Sequence, residues 1–92
     1  MIEVKLLSDA EPMAFQVLVK EAGSETRHRV TMSQVDFQRM GRGAVNAEGL
    51  VEGAFAFLLE REPKEAILSQ FDITVISRYF PDFDRAIGRY LS

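Results

Sequence analysis

The sequence predicts a single α+β domain spanning residues 1–92: a three-stranded antiparallel β-meander followed by a helical C-terminal two-thirds with one long central helix. Two features of the pattern carry this. Up to Met32 apolar residues recur with a period of two, and beyond Ser33 they recur at helical spacing. A third supports it: no internal repeat, low-complexity tract or linker divides the chain. At 47% hydrophobic and 27% charged, the composition is that of a globular chain able to bury one core.

Ile2, Val4 and Leu6 alternate with Glu3 and Lys5, which makes the first strand. Ser8 to Pro12 breaks the pattern. Phe15, Val17 and Val19 then alternate with Gln16 and Lys20, with Leu18 as the apolar exception on the outer face. A Gly23-containing loop joins this strand to a third, from Thr26 to Met32, which sets Arg27, Arg29 and Thr31 against His28, Val30 and Met32.

Ser33 is placed to cap a short helix, with Asp36 in its first turn and Met32 and Phe37 as a hydrophobic staple. Gly41 and Gly43 are suited to end it. Asn46 caps the central helix, expected over residues 47–61 and stopped by Pro63. At about 100° per residue its apolar side chains fill an arc of about 200°, twice the width of an ordinary surface-helix stripe. Gly49, Gly53 and Ala56 form a line of small residues beside that arc. A further short helix is expected over residues 64–70. Residues 72–77 fit either a strand or a helix, and a helix capped near Asp72 and ended at Tyr79 is favoured. A last amphipathic helix is expected over residues 82–91.

The chemistry-bearing residue types are sparse. With no cysteine, thiolate catalysis and cysteine-ligated metals are excluded. The lone histidine, His28, has no flanking nucleophile motif and reads as a packed histidine. Glu48 and Glu52 stand one helical turn apart but lack the Glu-x-x-His companions of a bundle metal site. Asp72, Asp82 and Asp84 read as helix-start residues, and Gly41-Arg42-Gly43 lacks the setting of a phosphate loop. No catalytic residue, cofactor site or metal site is expected.

Net charge is −3, against a protein devoted to neutralising phosphates. Arg27 and Arg29 on strand three, with Arg85 and Arg89 on the last helix, nevertheless form a possible basic contact surface. Residues 47–77 hold six acids and two bases, a balance of −4, and pairing of the arginines with that acidic helix is the plainer expectation. The N-terminal segment shows no secretory signal and no apolar run long enough to span a membrane, so the cytoplasm is expected.

These readings predict a non-catalytic protein-interaction or oligomerising module, most simply a homodimer or small hetero-complex. Its expected interface is on the central helix at Gly49, Gly53, Phe55, Ala56 and Leu59, because one small sheet is not expected to cover a 200° apolar arc. The alternative is a small nucleic-acid-associated regulator of the antitoxin type using the four arginines. Nucleic acid is the weaker partner class of the two.

Overall fold

A computed structural model describes residues 1–41 and 45–91. The chain runs through β1 (Ile2–Ser8), β2 (Met13–Glu21), β3 (Ser24–Met32), α1 (Gln34–Gly41) and α2 (Ala47–Leu59). A 3-10 turn (Lys64–Ala66) leads to β4 (Gln70–Asp72), α3 (Val75–Tyr79), α4 (Phe83–Ala86) and a final 3-10 turn (Ile87–Tyr90). The expected Gly43 end of α1, and with it Arg42, lies outside the described residues.

The meander forms as the alternation dictates. β1 and β2 pair antiparallel with Val4 opposite Val17, and β2 and β3 with Val17 opposite His28. The β2–β3 turn is only Ala22-Gly23, both at positive φ (55° and 80°), the tight geometry that matches strand twist. One face of the sheet carries Ile2, Val4, Phe15, Val17, Val19, His28, Val30 and Met32 inward. The other presents Glu3, Lys5, Arg27 and Arg29 to solvent.

The sheet has four strands, not three, and is mixed. β4 lies parallel to β3, with Phe71 beside Val30, and takes Gln70 out of the short helix expected over 64–70, of which only the 3-10 turn at Lys64–Ala66 forms. The outer edge of β3 decides this. Its peptide groups need partners, and the Arg29 amide donates to the Ser69 carbonyl (2.8 Å) while the Ile73 amide donates to the Thr31 carbonyl (2.9 Å). The ambiguous segment resolves into both alternatives, a strand to Asp72 and a helix from Val75.

The helices are short, which corrects the expectation of one long central helix. α2 is capped as expected, the Gly49 amide donating to Asn46 Oδ1 (2.7 Å), but it stops at Leu59 rather than Arg61. Arg61 itself explains the stop. Its guanidinium folds back to donate to the Phe57 carbonyl (3.0 Å) and lies 3.6 Å over the Phe57 ring, satisfying a terminal carbonyl that a longer helix would have bonded. The last expected helix is likewise only α4, continued by a 3-10 turn. No helix of the described residues is long and apolar enough to cross a membrane.

The apolar arc of α2 is covered within the chain. Leu50, Val51, Gly53, Ala54, Phe55, Phe57 and Leu58 are all buried. Phe55 lies against His28 and Phe71 on the sheet side, and Phe57 meets Phe80, Phe83 and Tyr90 edge-on at 5.0–5.9 Å on the other. The close approach that the helix glycines suggest is intramolecular. A Cβ at Gly53 would lie 2.8 Å from Leu91 Cδ2 and 3.0 Å from the Tyr90 carbonyl oxygen.

Gly53→Ala should therefore forfeit the gain of about 1 kcal/mol that alanine normally brings to a helix interior, and should destabilise the fold by about 1–3 kcal/mol as the C-terminal turn is displaced. Urea denaturation of the two proteins measures the sign. A more stable variant would show that the C-terminal turn is not seated on Gly53.

Candidate functional site

Between the end of α2 and α3 the surface folds into an apolar hollow of about 400 Å³. Phe71 enters from β4, Leu58 from the last turn of α2, and Ile76 and Phe80 from α3 and its C-terminal cap. Leu68 and Tyr79 stand at its mouth, 48% and 68% exposed, which is high for large apolar side chains. Leu68 is outward for a local reason. The chain is extended after the 3-10 turn, so of the adjacent pair Ile67 and Leu68 only Ile67 turns into the core. Glu62 is the one carboxylate on the lining, half-buried and with no ion pair among the described residues.

The polar groups near this hollow are bound into the scaffold. His28, 3% exposed, donates from Nδ1–H to the Leu68 carbonyl (2.8 Å), a bond that fixes the tautomer because a carbonyl only accepts. The Thr26 hydroxyl then donates to Nε2 (2.8 Å), and the ring lies 5.2 Å from that of Phe55. Both nitrogens are committed, and the histidine holds the Leu68 segment against the sheet. Asp72 accepts from the Thr31 hydroxyl, the Thr74 hydroxyl (2.7 Å) and the Thr74 amide (3.1 Å), joining β3 to the start of α3. Partial burial raises its pKa, but these three hydrogen bonds outweigh that and hold the carboxyl below its ordinary value. Among the described residues no three histidine, aspartate or glutamate side chains converge as a metal site.

Of the expected interface residues, two are withdrawn into the fold. Phe55 is fully buried between sheet and helix, and Gly53 is covered by Tyr90 and Leu91, so neither is presented to a partner. Gly49, Ala56 and Leu59 are half-buried on α2. The four arginines are exposed but are not brought together. Arg27 and Arg29 project from the open face of the sheet, while Arg85 and Arg89 belong to the helical layer on its other side. The expected pairing of Arg85 and Arg89 with the acidic helix is also reversed in sense. The C-terminal acids pair instead, Asp82 with Arg61 (3.5 Å) and Asp84 with Arg39 (3.2 Å), because α4 packs its acidic first turn toward those side chains. Phe80, Phe83 and Tyr90 surround Phe57 and plug the core.

The sequence reading missed Leu68 and Tyr79. Helical spacing carries no signal for them, because it places both within apolar stripes, Leu68 three residues before Phe71 and Tyr79 three residues after Ile76.

Because the Asp72 carboxyl titrates lower in the folded chain than in the unfolded one, its contribution is complete above the ordinary value near 4 and is lost as pH falls below it. Asp72→Asn should cost about 1–3 kcal/mol at neutral pH, and the gap from wild type should narrow below about pH 4. Urea melts at several pH values test this. A gap independent of pH would remove the carboxylate's role.

No protein-family model matches the chain, and neither do curated proteins or solved structures.

Proposed function

We propose that this chain is a non-catalytic cytoplasmic interaction module. The hollow under Leu68 and Tyr79 receives an apolar anchor side chain from another protein, and Glu62 engages a basic residue flanking that anchor. The observation that carries this reading is the pair of exposed apolar residues at the mouth of a concave apolar surface, which is the shape of an anchor pocket rather than of a scattered surface leucine. The half-buried Glu62 selects the sign of the flanking charge, in keeping with the −4 balance of residues 47–77. His28 and Asp72 support the non-catalytic part, since their polar atoms are engaged in bonds that hold the hollow's walls.

Selection from a displayed random-peptide library should enrich sequences with a large aliphatic or aromatic residue beside lysine or arginine. Amide shifts on titrating such a peptide should map to Leu68, Phe71, Val75 and Tyr79. Leu68→Glu should weaken binding at least tenfold without unfolding the chain, about 1.4 kcal/mol or more. No enrichment, or peptides whose shifts map elsewhere, would overturn the reading.

The separation of Arg27 and Arg29 from Arg85 and Arg89 removes the continuous basic surface on which the nucleic-acid alternative rests. Electrophoretic shift with mixed DNA and RNA should therefore show no complex at moderate salt. A complex that weakens steeply with salt would restore that alternative.

A further inference from the structure

We infer that the free edge of β1 pairs with β1 of a second copy of this chain, antiparallel about a two-fold axis through Val4, to form a continuous eight-stranded sheet. This goes beyond the hollow and does not depend on it.

The phase of the ladder comes first. The Met1 amino group donates to the Lys20 carbonyl (2.8 Å) and the Lys20 amide donates to the Met1 carbonyl (2.8 Å), so Met1 and Lys20 exchange both bonds. Hydrogen-bonded pairs alternate along an antiparallel ladder, so Glu3 and Lys5 also point their peptide groups at β2. Ile2, Val4 and Leu6 then present theirs outward, where no backbone or side-chain group among the described residues meets them. The same phase carried across the sheet places the peptide groups of Arg29 and Thr31 toward β4, where they are bonded.

The side chains then choose the partner. Residues 2–6 read Ile-Glu-Val-Lys-Leu, which is self-complementary about Val4. Two copies paired there set Ile2 against Leu6, Val4 against Val4, and Glu3 against Lys5 at both ends. The alternatives with the same hydrogen-bonding phase are worse. A shift of two residues one way puts Glu3 opposite Glu3, and the other way puts Lys5 opposite Lys5, and like charges directly opposite each other are unfavourable. Lys5 makes no ion pair among the described residues, and Glu3 holds only Lys20, at 3.4 Å and exposed. Leu6, 37% exposed, gains a cover in the partner's Ile2. The β-bulge between Leu6 and Ser8 ends the pairing at the palindrome's boundary.

Sedimentation equilibrium at tens of micromolar should show a dimer for the wild-type chain. Glu3→Lys and Lys5→Glu, both on the exposed outer face, should each weaken it at least tenfold with the circular dichroism spectrum unchanged. Their 1:1 mixture should form a heterodimer, and the chain carrying both substitutions should regain the homodimer, because each restores opposite charges at both ends. A wild-type monomer, or a dimer indifferent to these exchanges, would overturn the inference. Peptide binding at the hollow would stand or fall separately.

Discussion

Helix α2 buries seven of its thirteen residues over an arc of about 200°, and a single flat layer covers roughly half of that. The rest of the C-terminal chain follows from this excess. The sheet takes the side of Phe55, and the side of Phe57 has to be covered by something else. Residues 75–91 supply it, bringing Phe80, Phe83 and Tyr90 around the Phe57 ring. They are short and partly 3-10 because they are shaped to a cover rather than grown from their own propensity. Gly53 is the structural counterpart of that cover, the point at which helix backbone and C-terminal backbone come within contact.

The hollow is a by-product of the same constraint. Phe80 at the end of α3 must reach Phe57 of α2, yet α3 must also leave from the end of β4, which is tied to β3. The two obligations hold α3 away from the 3-10 turn that precedes β4, and the gap between them is lined by whatever faces inward from each side. His28 and Asp72 set the width of that gap. One fastens the Leu68 carbonyl to the sheet, and the other fastens the start of α3 to Thr31. Polar side chains thus act as rigid struts for an apolar surface, which is the economical use of a buried histidine whose two nitrogens are both bonded.

Local patterns were legible wherever a segment's structure is decided by its own neighbours. The alternation of Phe15, Val17 and Val19, the Ser33 cap, with the Asp36 amide donating to Ser33 Oγ (3.0 Å), and the Asn46 cap all read directly from the residues. What the sequence concealed was decided by distant partners. β4 exists because β3 has an unpaired edge forty residues upstream, and nothing within Gln70-Phe71-Asp72 announces that. The end of α2 depends on Arg61 turning back onto Phe57, where helical spacing alone continues to Arg61. The interface expectation at Phe55 failed for a related reason: it counted apolar area against one sheet, whereas the chain supplies a second layer. Leu68 and Tyr79 became visible only as the residues which that second layer leaves uncovered.

The two edges of the sheet are managed differently, and the difference is informative. β4 is three residues long and turns at once into α3, so little ladder is offered beyond it. β1 runs for seven residues with its outward peptide groups in an uninterrupted phase from Ile2 to Leu6. Natural sheets commonly guard such an edge with a like-charged residue, a proline or a bulge within the strand. Here the bulge comes only at the strand's end and the two charges are opposite in sign and symmetric about Val4. That arrangement deters indiscriminate pairing, since most alignments oppose like charges or apolar to charged, while leaving one alignment favourable. An edge protected against every partner but its own copy is a selective surface, and it lies at the side of the molecule away from β4 and the hollow beside it, so neither needs to close for the other to be used.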